Sequence, residues 1–213
     1  MEGKSLIIFD KDGTLMDSSP GSVATIKEMA RQLGRDLPPD DEIVRALCGP
    51  FGPVIISLLG FDKERQNEML LLFVKVYYEQ EGYKDFVEYP DMPEVIRELS
   101  GRYMLAIATM MYDDFAVRSM KVMDVEGCFL RINGVGPNHL VTKTDLIREC
   151  MEAAECTPKE TVMVGDSLDD LESARKAGVE FIGVTYGFGL SVEECKKEGI
   201  PYAESPKDLL NIL

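Results

Sequence analysis

Four short apolar runs, 6–9, 104–108, 162–164 and 181–184, each end at a polar or glycine-containing turn, and helical periodicity fills the intervals between and after them. None of the runs alternates apolar with polar residues, as a half-exposed strand would. They read as strands buried on both faces, and their alternation with helices predicts an α/β fold: a Rossmann-like parallel sheet covered by helices.

Between the first run and the second the pattern is almost entirely helical. Residues 20–33 are amphipathic and stop at Gly34, Asp40 caps a helix running toward Leu47 before Gly49-Pro50, and 54–59 ends at Gly60. The longest pattern, 63–81, sets Met69, Leu72, Phe73, Val76 and Tyr77 at helical spacing with Gly82 as its terminator. This stripe reads as helix-packing core rather than a cofactor pocket. The expectation is an all-helical domain over 17–88, inserted into a catalytic core made of 1–16 and 89–213. In that core further helices are predicted at 93–99, 113–123, 143–155 and 169–176. Ser191 with Glu194 forms a capping-box pattern, and Ser205-Pro206 opens a last helix. His139, the only histidine, goes with a turn region at 133–138 and is assigned a loop role.

Composition narrows the function classes. A chain of 213 residues can bury roughly 70% of its unfolded surface, so its core needs neither disulfides nor a structural metal. The formal charge of −15 argues against nucleic acid or an anionic membrane as partner, because both require clustered cations. If a small substrate is anionic, positive charge or a bound cation must be concentrated in one place. Five cysteines without a CxxC pair fit a reducing compartment and no zinc site. The apolar segments at 6–9 and 69–78 are too short for a signal peptide or a membrane span, so a soluble, cytoplasmic protein is expected.

The chemistry concentrates at the ends of the predicted strands. Phe9-Asp10-Lys11-Asp12-Gly13-Thr14-Leu15 puts two carboxylates directly after the first strand, where open parallel sheets bind ligands, and side chains two apart on extended backbone point the same way. Two such charges repel by about 4 kcal/mol at 4 Å and an effective dielectric near 20, so a shared proton or a cation must offset them. A calcium loop does not fit, because a strand rather than a helix enters and Gly13 follows Asp12 directly. Val164-Gly165-Asp166-Ser167-Leu168-Asp169-Asp170 adds acids at another strand end that opens a helix. Read alone these are helix-dipole partners; joined to the first cluster they call for a hard cation such as Mg²⁺. Thr109, after the strand 104–108, can donate its hydroxyl to a phosphoryl oxygen, and Lys143, at the start of a helix, can set an ammonium opposite the acids. Each alone reads as a cap or a surface residue.

In this order the motifs resemble those of the haloacid dehalogenase superfamily, in its phosphatase branch with a helical cap after the first strand. DKDGTL is similar to the first motif, Thr109 to the second, Lys143 to the third and GDSLDD to the fourth. The segment 183–189, the acidic helix after it and residues 202–213 are together similar to the C-terminal portion of phosphoglycolate phosphatase-like members. The resemblance implies Asp10 as nucleophile, Asp12 as general acid and base, and Mg²⁺ held by Asp10, the main-chain carbonyl of Asp12 and Asp166, with Asp170 beside it. It implies that Thr109 and Lys143 hold the phosphoryl oxygens, and that the acid at position 12 selects phosphoryl transfer over dehalogenation. In the cap, Arg45-Ala46-Leu47-Cys48-Gly49-Pro50 is similar to the segment that faces the active site, which makes Gly49 a close-approach residue and Arg45 a contact for an anionic substrate group. The implied partner is a small phosphorylated metabolite, phosphoglycolate-like or a sugar phosphate; the implied alternatives are a sugar phosphomutase and a non-catalytic phosphate-sensing relative. Two positions depart from the family pattern. Lys11 stands where an apolar residue is usual, and its side chain is expected to point away from Asp10 and Asp12. Met110-Met111 replaces a polar residue after Thr109. The oligomeric state is not legible in the sequence.

Overall fold

The computed structural model describes residues 3–47, 51–136 and 141–213. The chain divides into two compact units: residues up to Asp17 together with Glu88–Leu213, and Ser18–Val87.

The larger unit is built on strands β1 (Leu6–Phe9), β4 (Met104–Tyr112), β5 (Arg131–Val135), β6 (Thr161–Gly165), β7 (Glu180–Val184) and β8 (Tyr202–Ala203). Short strands β2 (Met16–Asp17) and β3 (Val87–Glu88) lie where the chain passes between the units. The six form one sheet in the order β5-β4-β1-β6-β7-β8, and every pairing is parallel. All four residues of β1 are fully buried, which is why the strand reads as an unbroken apolar run rather than an alternating one. Leu6 and Ile8 join a core layer with Leu146, Ile147, Met163, Leu171 and Ala174, under helices α7 (Lys143–Ala153) and α8 (Leu168–Ala177). Phe9 points to the other face and meets Phe129 edge-on at 6.5 Å. Helices α5 (Met92–Ser100), α6 (Asp113–Val122), α9 (Val192–Glu198) and α10 (Leu209–Ile212) complete this unit. Because β1 is flanked by β4 on one side and β6 on the other, the connections diverge at its carboxyl end, where an open parallel sheet forms a crevice.

The smaller unit holds α1 (Ser19–Leu33), α2 (Asp40–Leu47), α3 (Phe51–Leu59) and α4 (Gln66–Glu79). Its interior is made by Ile26, Met29, Ile43, Met69, Phe73, Val76 and Tyr77, all buried, with Phe73 and Tyr77 stacked at 5.4 Å. No described helix of either unit is long and apolar enough to cross a membrane. Among the described residues Cys128, Cys150, Cys156 and Cys195 are free thiols.

The structure corrects several expectations. Helix α3 starts at Phe51, before 54, and the 63–81 pattern divides into a 3₁₀ turn at Lys63–Arg65 followed by α4. Gly82 does not terminate α4: the left-handed residue there is Glu81, at φ 53°, while a Cβ on Gly82 would lie 2.5 Å from Tyr77 Cδ2. Residues 133–135 of the turn expected at 133–138 belong instead to the edge strand β5, whose Arg, Asn and Gly hide its strand character. Tertiary partners offset that polarity: Asn133 donates to Leu146 O at 3.1 Å and to Glu149 at 3.0 Å, and Gly134 allows the main chain of 111–113 to come close. His139 and Gly49 lie outside the described residues.

Candidate active site

The carboxyl ends of β1, β4 and β6 bring the sequence-predicted residues of the larger unit together. Asp10 leaves β1 with its N–H still bonded to Val164 O at 2.8 Å, so its position is set by the β1–β6 ladder. The chain then turns sharply: Lys11 O accepts from Leu15 N at 2.9 Å, Gly13 N donates to Met16 O at 2.8 Å, and Gly13 adopts φ +82°. Glycine is required there twice over, because a Cβ would also lie 2.3 Å from Asp166 Oδ2.

Asp166 directly follows β6 and is fixed by the loop after β7, where the N–H groups of Phe188 and Gly189 each donate to its Oδ2 at 3.1 Å. Asp170 is the N3 residue of the capping box that starts α8. Ser167 accepts from its N–H at 3.1 Å and returns its own N–H and hydroxyl to Asp170 Oδ2 at 3.1 and 2.7 Å. One local motif therefore starts the helix and aims the other oxygen of Asp170 into the crevice. Lys143, the first residue of α7, donates to Asp10 Oδ1 at 2.7 Å and to Asp170 Oδ1. Its helix is held by a second capping box, Thr142 with Asp145.

Asp10, Asp166 and Asp170 are all buried, and one carboxylate oxygen of each lies within 4.8 Å of the others. Burial raises the Asp10 carboxyl well above its ordinary range; Lys143 opposes that rise, while Asp170, Asp12 and Asp166 add to it. Burial, reinforced by the charge of Asp170, pushes Asp166 up to about 7, against Lys143 and the two N–H donors. For Lys143 burial alone would favour the neutral amine, yet Asp10 and Asp170 together hold the ammonium above its usual range.

Thr109 is buried inside β4 rather than following it, since that strand runs on to Tyr112 through a register shift between Ala108 and Tyr112. Irregularities of this kind re-aim side chains beside functional sites. The Thr109 hydroxyl accepts from Met111 N at 3.1 Å and lies 3.4 Å from Asp12 Oδ2. Met110 is exposed and Met111 half-buried.

Lys11 overturns the expectation that it points away from the acids. Its side chain is fully buried and curls back so that Nζ lies 2.5 Å from Asp12 Oδ1. Alternation along a strand does not bind a residue in a tight turn, and a four-carbon stem can reverse direction within one residue. Arg45 of the smaller unit is exposed and bonded to Asp41 at 2.6 Å. Sequence reasoning passed over Ser167 and the main chain of 188–189. The Ser-x-x-Asp spacing announces Ser167, whereas nothing local announces two amides from another loop.

The set is chemically suited to a divalent cation. Three buried acids, Asp10, Asp166 and Asp170, gather around one ammonium, Lys143, leaving a deficit of two positive charges, while Lys11 pairs separately with the partly exposed Asp12. Burial first and the neighbouring acids second raise the Asp10 and Asp166 carboxyls, and buried oxygen donors in need of positive charge suit Mg²⁺.

Comparison with known proteins agrees with this geometry. A family model described as haloacid dehalogenase-like hydrolase matches residues 7–184. A phosphoglycolate phosphatase of Pseudomonas putida is 31% identical over 86% of this chain and 70% of its own length. A 5'-nucleotidase of Pseudomonas aeruginosa is 29% identical over 86% of this chain and 83% of its own. Among solved structures, the haloacid dehalogenase-like hydrolase SP0104 of Streptococcus pneumoniae superposes with a TM-score of 0.88 at 26% identity, covering 100% of this chain and 99% of that one.

Proposed function

Because this chain belongs to the haloacid dehalogenase-like hydrolases, we propose that it is a Mg²⁺-dependent phosphatase that hydrolyses small phosphate monoesters through an aspartyl-phosphate on Asp10. The observation that carries the reading is the charge balance: three buried acids that follow β1 and β6, Asp10, Asp166 and Asp170, gather around one ammonium, Lys143, a shortfall of two that equals the charge of one divalent ion. Asp10, the main-chain carbonyl of Asp12 and Asp166 would hold Mg²⁺, with Asp170 beside it. The ion supplies Lewis-acid stabilisation of charge developing on the phosphoryl oxygens.

The remaining chemistry belongs to the chain. Asp10 attacks phosphorus as the bond to the leaving oxygen breaks, and Asp12 gives that oxygen its proton. Asp12 then takes a proton from water as the water attacks the aspartyl-phosphate, releasing inorganic phosphate and freeing Asp10. Splitting one displacement into two lowers each barrier, and a positioned acid and base contributes about 10²–10⁴-fold. Lys143 balances charge at Asp10 and on the phosphoryl group, Thr109 offers its hydroxyl, and preorganised donors of this kind need no reorientation during reaction.

A phosphoglycolate-like compound or a sugar phosphate is the proposed substrate, and Arg45 is the proposed selector among them. The similarity to a phosphoglycolate phosphatase supports the first of these, while the 5'-nucleotidase of near-equal identity shows how far substrates diverge among such relatives. The test is phosphate release from a panel of small phosphomonoesters with Mg²⁺ and with EDTA. Metal-dependent release supports the proposal; an isomerised sugar phosphate without free phosphate would make the protein a mutase. Silence on the whole panel would leave a non-catalytic relative.

A further inference from the structure

Lys11 is a fully buried cation in the turn between the two catalytic carboxylates, and none of the assigned roles uses it. Its Nζ meets Asp12 Oδ1 at 2.5 Å and Met16 Sδ at 3.9 Å. The Asp12 side chain is 25% exposed while that of Lys11 is not exposed at all, so the ammonium reaches the carboxylate from its inner side. The second oxygen, Oδ2, lies 3.4 Å from the Thr109 hydroxyl. Removing an ammonium from water costs several kcal/mol even in a good pair, and a methionine of similar length would fill the same space without that cost. Fold maintenance therefore does not explain the residue. What the pair does accomplish is geometric: one oxygen of Asp12 is held from inside, which leaves rotation of the carboxyl little freedom and commits the other oxygen to the side of Thr109.

We infer that Lys11 is a positioning residue, holding the Asp12 carboxyl in the orientation from which it exchanges a proton with the leaving oxygen. The inference rests on Asp12 being the acid and base of the proposed phosphatase. Loss of Lys11 should then harm the step that needs the proton more than the step that does not. An alkoxide leaves phosphorus only with a proton supplied, whereas p-nitrophenolate leaves without one. The ratio kcat/KM reports every step through leaving-group departure, so it isolates this difference. A role confined to stability would lower both esters alike.

The experiment measures kcat/KM with Mg²⁺ for the best alkyl phosphate of the panel and for p-nitrophenyl phosphate, in the wild type, Lys11→Met and Lys11→Gln, with thermal unfolding of each. We expect Lys11→Met to lose at least about tenfold more on the alkyl ester than on the aryl ester, below the lower edge of what a positioned acid contributes. Lys11→Gln, which keeps an N–H donor toward Asp12, should fall between the methionine variant and the wild type. Equal losses on both esters, or a larger loss on the aryl ester, would overturn the inference while leaving the phosphatase reading intact. Failure of both variants to fold would assign Lys11 to the fold and overturn it as well. If the wild type releases phosphate from neither ester, the phosphatase reading fails first and this inference falls with it.

Discussion

Replacing Lys143 with methionine tests the electrostatics of the site most directly. The ammonium is bonded to both Asp10 and Asp170, and the side chains of Lys143, Asp10 and Asp170 are 7%, 7% and 0% exposed respectively. Methionine keeps most of the volume, so the change is one of charge. Removing one partner from a buried ion pair typically costs about 3–5 kcal/mol, because the remaining charge is left uncompensated. The protein can lessen this by binding a proton at Asp10, whose carboxyl already lies well above its ordinary range. A raised folded-state pKa gives stability that is present in acid and lost as pH rises through it, so the penalty should be smaller at pH 5.5 than at pH 8. For a chain of this size about 2–4 °C accompanies each kcal/mol, which predicts a fall of about 6–20 °C in Tm at pH 8. The assay is thermal unfolding by circular dichroism in EDTA at both pH values, then with Mg²⁺. Added cation should recover part of the loss by supplying positive charge to the same acids. A Tm within about 2 °C of the wild type at pH 8, or an equal loss at both pH values, would refute the argument that Lys143 balances buried charge.

Three further outcomes rest on the same geometry. Asp10→Asn should abolish phosphate release yet raise the Tm of the metal-free protein at pH 8, since it removes one member of a crowded set of acids; continued turnover would dismiss Asp10 as nucleophile. With burial first among its causes, Asp166 titrates near 7 in the metal-free fold, far above an unfolded aspartate. Without Mg²⁺, Tm should accordingly decline from about pH 4 to about pH 7 as that proton is lost, and calorimetry near pH 6 should record proton release on Mg²⁺ binding; a flat Tm profile with no proton release would count against it. Arg45→Ala should leave Tm within about 1 °C, because the exposed pair with Asp41 contributes little, but should reorder preference across the phosphomonoester panel; an unchanged order would remove Arg45 from substrate selection.

Local signals carried a large share of this protein into view. Unbroken apolar runs marked β1, β4, β6 and β7, because a strand buried on both faces has no polar side to show. The acids at positions 10, 12, 166 and 170 were legible because each sits at a strand end or in the first turn of a helix, places defined by neighbours in the chain. Strand β5 was not legible: the partners that satisfy Asn133 and the close passage that requires Gly134 come from α7 and from the end of β4. The same holds for the amides of 188–189 on Asp166, and for Lys11. Its direction was misread from strand alternation because the turn that Gly13 permits, and the carboxylate that receives the ammonium, exist only once the backbone is folded. Sequence alone thus determined which residue types stand at the sheet's edge, since burial and capping are set by near neighbours. Tertiary structure decided which charges meet and in what balance, because Coulomb interactions act through space and depend on how far water has been excluded.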